Sequence, residues 1–149
     1  MVGVPGSGKS TWISNQHWAS DCEVISTDAH VEAYAQANGK TYSEVFEEFM
    51  PEAISNMLDD VVYARDNGKD IIWDQTSCSI ATRAKKIRML PDYYKIAVVF
   101  RTPPAAELQK RLASRPGKNV PWEVVSDMAQ KLEIEPPSKD EGFDEIWYT

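Results

Sequence analysis

The sequence predicts an α/β domain with a largely parallel sheet flanked by helices. Three observations carry that prediction. Short Ile/Val-rich runs alternate with longer segments of helical periodicity, the pattern of β-α-β units. Lys95-Ile96-Ala97-Val98-Val99-Phe100 is nearly continuous in apolar residues, as a strand covered on both faces requires. A glycine-rich loop, Gly3 to Gly8, runs straight into the first helical segment.

The elements follow in order. Only Met1 and Val2 precede Gly3, fewer than the about five to six residues of an ordinary strand, so the first strand reads as truncated. Lys9 to about His17 is a helix. Cys22-Glu23-Val24-Ile25-Ser26-Thr27 is a short strand with Asp28 at its end. The alanine-rich stretch 29–38 is helical, and Asn38-Gly39 stops it as a C-cap does. From Tyr42 to Ala64, apolar residues recur every three or four positions, predicting one long amphipathic helix bent or interrupted at Pro51. Asn67-Gly68 ends it. Asp70-Ile71-Ile72-Trp73 is a buried strand delivering Asp74 at its carboxyl end. Ser79 to Leu90 is a helix closed by Pro91, and 95–100 is the strongest strand. Pro104 to Ser114 and 122–132 are helices, and Phe143 to Tyr148 is a last strand.

Length and composition bound the rest. A chain of 149 residues has room for a single domain over 1–149. With 42% hydrophobic and 26% charged residues it is an ordinary globular chain. The longest apolar run, Ile96 to Phe100, is far too short to span a bilayer, and no secretion leader opens the chain. Cys22 and Cys78 make no disulfide framework and suggest a reducing compartment. A cytoplasmic protein without membrane attachment is the expectation.

Gly3-Val4-Pro5-Gly6-Ser7-Gly8-Lys9-Ser10 matches G-x-x-x-x-G-K-[ST], with Thr11 following. Such a loop lets backbone N–H groups converge on phosphate oxygens at a helix N-terminus. Pro5, Gly6, Ser7, Gly8, Lys9, Ser10 and Thr11 are therefore the candidate ATP-binding residues. Lys9 would reach the β and γ phosphates, and the Ser10 hydroxyl would ligate Mg²⁺. Asp28 and Asp74 stand at carboxyl ends of predicted strands, the ligand-binding edge of an open α/β sheet. Either could hold Mg²⁺ through water or accept a proton from an attacking hydroxyl; helix N-capping is the alternative. Arg111 and Arg115 are four apart on one predicted helix, hence on one face. A helical lid over about 111–131, with a mobile Pro116-Gly117-Lys118 loop, could bring their guanidinium forks to phosphoryl oxygens. His17 and His30 have no partner pattern, and no Cys/His spacing suggests zinc.

Charge is uneven. The net charge is −7, yet Arg83 to Lys118 carries ten basic residues against Asp92 and Glu107, a local +8, leaving −15 elsewhere. That stretch is either a pair of solvated helix faces or a site for phosphates.

Taken together, Gly-Val-Pro-Gly-Ser-Gly-Lys-Ser-Thr-Trp at 3–12, Ser-Thr-Asp at 26–28, Asp-Gln-Thr at 74–76 with Arg83 nine residues on, Lys-Arg-x-x-x-Arg at 110–115, Val-Pro at 120–121, Ser-Asp-Met at 126–128 and Glu-Gly-Phe-x-x-Ile at 141–146 form an ordered set. It resembles the 5′-hydroxyl polynucleotide kinases: the phage kinase domains and the kinase half of animal kinase-phosphatases. The resemblance implies an adenylate-kinase-like P-loop NTPase fold with a helical lid. It implies Asp28 as general base, Arg111 and Arg115 as lid arginines on the ATP phosphates, and Asp74 with Arg83 on the acceptor side. An arginine that phage members carry three residues after the base is Val31 here. No phosphatase signature accompanies the kinase motifs.

The leading expectation is an ATP- and Mg²⁺-dependent kinase acting on the 5′-hydroxyl of DNA or RNA, with Asp28, Lys9, Arg111 and Arg115 catalytic. Arg83, Lys85, Lys86 and Arg88 would guide the strand by its phosphates. A P-loop kinase for a small metabolite, nucleoside or antibiotic is the alternative, favoured by Val31 and overall acidity. A non-enzymatic nucleotide-binding module is the third.

Overall fold

Apolar periodicity, caps and turn glycines place ten elements along residues 1–149, all described by a computed structural model. In chain order they are α1 (Lys9–Ser14), β1 (Glu23–Ile25), α2 (Thr27–Ala37), α3 (Tyr42–Asp66), β2 (Ile71–Trp73), α4 (Ile80–Met89), β3 (Ile96–Val99), α5 (Ala105–Ala113), α6 (Trp122–Ile134) and β4 (Glu145–Tyr148). They group into two compact units, each discontinuous in sequence.

The first unit comprises Met1–Lys9, Thr76–Leu112 and Val120–Thr149. β3 is its spine. It pairs in parallel with β4, Ile96 facing Glu145 and Val99 facing Tyr148. On its other side Val2 makes a parallel bridge to Val99, held by Val2 N–H to Val98 O and Phe100 N–H to Val2 O, each 2.8 Å. Two residues thus suffice to enter the sheet. The core gathers Val2, Val4, Ala97 and Val99 with Leu108 and Leu112 of α5 and Val125 and Leu132 of α6. Leu108 and Leu112 are one turn apart, so α5 buries a single stripe. Ser79 caps α4 through a reciprocal box with Thr82, as the helix start at Ser79 anticipated.

The second unit comprises Ser10–Gln75 and Ala113–Asn119. β1 and β2 pair in parallel, Glu23 against Ile71 and Ile25 against Trp73. α2 and α3 pack on each other around Val31, Ala35, Val45, Phe49 and Ala53. Tyr34 stacks on Phe49 with ring centroids 4.0 Å apart and planes 4° from parallel. Thr41 and Glu44 make a capping box that starts α3. The helix then runs 25 residues, Pro51 included; of the bend or interruption expected there, the interruption does not occur. Pro51 is exposed, and the buried stripe on both sides of it, Val45, Phe49, Ala53, Met57 and Val61, holds the helix together across the missing N–H. The adjacent stripe of Phe46, Ile54, Leu58 and Val62 is exposed.

Three local expectations change. α1 ends at Ser14, and a 3-10 turn over His17–Asp21 follows. β1 ends at Ile25, Ser26 caps α2 by accepting from Ala29 N–H, and Asp28 sits in the first helical turn. Asp28 is thus a helix residue rather than a strand terminus. α5 ends at Ala113, so Arg115 leaves the helix and the face it was to share with Arg111 does not form. No helix is long and apolar enough to cross a membrane.

Candidate functional site

The glycine-rich loop is built within the first unit. Gly6 and Gly8 have φ of 82° and 100°, a left-handed backbone that only glycine adopts without strain. Around the position a Gly8 side chain would take there is open space for 4 Å. Gly3 is needed for contact instead: a Cβ there would lie 2.7 Å from Ser7 Oγ and 2.9 Å from Phe100 Cβ. The loop is pinned from below by Gly3 N–H donating to Thr76 O at 2.9 Å. Cys78, buried, lies beside it, and burial pushes its thiol up so that it stays protonated.

Lys9 folds back over the loop. Its Nζ donates to Gly3 O at 3.0 Å and Val4 O at 2.9 Å, and the residue is 8% exposed. The ammonium is thus held at the loop by two carbonyl dipoles, where a polyphosphate would meet it. Arg111 donates from Nη1 to Gly6 O at 3.1 Å while Nη2 pairs with Glu107. The sequence anticipated this arginine near the loop; Glu107, which orients it, was missed. Ser7 Oγ is buried without a hydrogen-bond partner. A left-handed glycine cradle, a lysine and an arginine on its carbonyls and an orphaned hydroxyl fit a bound polyphosphate.

Ser10 opens the second unit and is exposed. Its Oγ donates to Asp74 Oδ2 at 3.0 Å. Asp74 directly follows β2, as expected, and its backbone N–H donates to Ile25 O. A hydroxyl and one carboxylate, completed by substrate phosphates and water, suit Mg²⁺, which seldom takes an all-protein cage. Gln75, next in the motif, is used internally: it donates to Thr27 Oγ1 at 3.0 Å and accepts from Trp73 Nε1 at 3.0 Å.

Asp28 has other partners. Tyr42 O–H donates to its Oδ1 at 2.7 Å, and Lys118 Nζ donates to its Oδ2 at 2.7 Å. Lys118 also reaches Glu32 Oε1 at 3.2 Å and lies 4.2 Å from the Tyr42 ring centroid. Burial, then the hydrogen bond to Asp28, pushes the Tyr42 phenol far up, so it remains a donor. Both partners escaped the sequence reading. Tyr42 counted there as an apolar helix position, and Lys118 as part of a mobile loop.

The residues 114–119 are not loose. Ser43 N–H donates to Gly117 O at 3.0 Å, and Asn119 N–H donates to Ser43 Oγ at 2.8 Å. Gly117, at φ 67°, packs so closely that a Cβ would lie 2.8 Å from Thr41 Cβ. Arg115 is exposed within this turn. Val31 is fully buried in the core of its unit, which commits that position to packing.

Arg83 is placed differently from expectation. It is 1% exposed, and its guanidinium donates to both oxygens of Glu141 at 2.7 and 3.0 Å, to Ser77 O and to Glu135 O. Lys86 donates to Ser77 Oγ at 2.5 Å. No exposed fork of Arg83 is left for an acceptor strand; a buried arginine needs these acceptors to offset its desolvation.

No curated protein matches the chain. The model of one family, described as an AAA domain, matches residues 1–135, from the glycine-rich loop through α6. That family has the P-loop NTPase fold and contains kinases, polynucleotide kinase-like domains among them. With the match covering nine tenths of the chain, this protein belongs to the AAA domain family.

Proposed function

We propose that this protein is an ATP- and Mg²⁺-dependent kinase that transfers the γ-phosphate to the 5′-hydroxyl of a polynucleotide. The observation that carries the reading is the different partnership of the two aspartates. Asp74 is held by Ser10 of the phosphate loop, whereas Asp28 is held by Tyr42 and Lys118. One carboxylate is thereby suited to the metal and the other to the acceptor, although the sequence resemblance put Asp74 on the acceptor side.

Residues 5–11 and Lys9 bind the β and γ phosphates through backbone N–H groups and a fixed ammonium. Ser10 and Asp74 would hold Mg²⁺, which supplies charge neutralisation on the phosphates when bound. Asp28 accepts the acceptor's hydroxyl proton as that oxygen bonds to the γ-phosphorus. The bond from the γ-phosphorus to the β–γ bridging oxygen breaks, and ADP leaves. Arg111 and Arg115 offset charge on the transferring group.

A small-molecule acceptor is the second reading, and one observation favours it. Of the four cations expected to guide a strand, Arg83 is buried against Glu141 and Lys86 is engaged by Ser77. A transfer assay with γ-labelled ATP, offering 5′-hydroxyl oligonucleotides and nucleosides side by side at low and physiological salt, decides between them. Polynucleotide use predicts preferential labelling of oligonucleotides that weakens with salt, because phosphate contacts release counterions. Equal labelling of both acceptors without salt dependence would establish the small-acceptor reading.

A further inference from the structure

We propose that Lys118 is a positioning residue for Asp28, and that the turn over 114–119 is a fixed wall of the acceptor side, seated on the start of α3. The inference rests on the reading of Asp28 as the base and goes beyond it by naming what holds that base.

Four contacts carry it. The Lys118 ammonium touches Asp28 Oδ2 at 2.7 Å and Glu32 Oε1 at 3.2 Å, bridging two carboxylates one helical turn apart on α2. Its face toward Tyr42 is a cation–π contact at 4.2 Å, and the same tyrosine donates to the other Asp28 oxygen at 2.7 Å. The carboxylate is therefore gripped from both oxygens by donors that also touch each other. Each carboxylate oxygen keeps a second lone pair, so the grip leaves capacity for an incoming hydroxyl. A base held in one rotamer presents that lone pair at a fixed place, which is where positioning adds to rate.

The turn brings Lys118 there by anchors of its own. Gly117 lies against Thr41, Gly117 O accepts from Ser43 N–H, and Ser43 Oγ accepts from Asn119 N–H. None of these anchors involves the lysine side chain, so Lys118 can be changed while the turn stays seated. Lys118 is also 13% exposed at its side chain, against 49% for Asp28 and 57% for Glu32. The cation is the buried partner and the carboxylates are the open ones, as expected where the lysine is scaffold and the aspartate is reached by substrate.

The test compares Lys118→Met, Lys118→Arg and Gly117→Ala with the wild type in steady-state transfer and in hydrogen exchange at the Ser43 and Asn119 amides. Lys118→Met should lower kcat about 10- to 100-fold with KM for ATP within twofold and amide protection unchanged, and Lys118→Arg should restore most of kcat. Gly117→Ala should lose protection at both amides and lose kcat together. A Lys118→Met enzyme as fast as wild type, or faster, overturns the proposal; faster turnover would make the lysine a latch on Asp28. Loss of amide protection with loss of rate in Lys118→Met, unrescued by arginine, overturns it in favour of a structural role. If the wild type labels no hydroxyl acceptor while binding ATP, the kinase reading itself falls, an outcome separate from these.

Discussion

Ser10 Oγ and Asp74 Oδ2 lie 3.0 Å apart, joining the last residue of the phosphate-loop motif to the residue after β2, 64 positions later. On the proposed function, this contact puts Asp74 rather than Asp28 on the metal side. Asp74→Asn and Ser10→Ala should each raise the Mg²⁺ concentration for half-maximal activity about 10- to 100-fold. Asp28→Asn should instead lower kcat by about 10²- to 10⁴-fold with Mg·ATP affinity nearly unchanged. Magnesium titrations of activity and calorimetry of Mg·ATP separate the two. A rise in acceptor KM alone in Asp74→Asn would return that residue to the acceptor side.

Lys9 is buried and bonded to Gly3 O and Val4 O. A lysine in a phosphate loop supplies charge, but these two bonds give it a structural share as well. Lys9→Met removes the ammonium from Gly3 O and from Val4 O, of which Val4 O keeps the Ser7 N–H at 3.2 Å. The lost Gly3 O bond is worth about 1–3 kcal/mol, so the melting temperature should fall by several degrees as transfer is lost. Saturating ATP should raise the wild-type melting temperature and not that of the variant. An unchanged melting temperature in Lys9→Met would show that the loop does not depend on the lysine.

Arg83 and Glu141 form a buried pair, 1% and 9% exposed at their side chains. Removing one partner of such a pair costs about 3–5 kcal/mol. Glu141→Gln and Arg83→Met should therefore destabilise the protein strongly in urea titrations, and any residual activity should keep its acceptor KM. A stable Arg83→Met variant with acceptor KM raised tenfold would restore Arg83 as a strand guide.

The Tyr42 phenol is pushed above its ordinary value of 10.0, first by burial and then by Asp28. The folded state thus keeps a proton that the unfolded chain releases near pH 10. The contribution to stability is complete below that pH and is lost as pH rises beyond it. Tyr94, raised by its hydrogen bond to Glu145, adds a slope of the same sign. Tyr42→Phe should be less stable at neutral pH yet lose stability less steeply above pH 10. Parallel urea midpoints for the two proteins from pH 9 to 11 would refute this.

The sequence made the fold legible where local physics decides it. Asn38-Gly39 and Asn67-Gly68 end their helices at left-handed glycines, and Ser79 caps α4. Pro51 does not interrupt α3 because the buried stripe spans it, which its local effect alone does not reveal. The glycine-rich loop was legible because its motif is contiguous: Gly6 and Gly8 take the left-handed backbone that the pattern asks of them. Asp28 could be singled out from its motif, but its grip could not: Tyr42 and Lys118 meet it from 14 and 90 positions away, and nothing in spacing encodes so distant a contact. Arg83 misled in the opposite way, since a basic run says nothing of which member turns inward to Glu141.

The pairing of Val2 with Val99, and of Val99 with Tyr148, bears on the order in which the protein folds. α2 and α3 meet across a link of four residues and can close quickly, while the Val2–β3–β4 ladder must bring together segments far apart along the chain. Loop closure slows with such separation. The hairpin around Tyr34 and Phe49 should therefore acquire exchange protection first, and the amides of Val2 and Phe100 last. Because Val2 leads directly into Gly3, whose N–H is held by Thr76 O, the glycine-rich loop is expected to be fixed at the same late stage. During synthesis the helical pair would form early, and the segment leading into the loop would find its partner only once β3 has been made. Simultaneous protection of both regions in a pulse-labelling experiment would exclude that order.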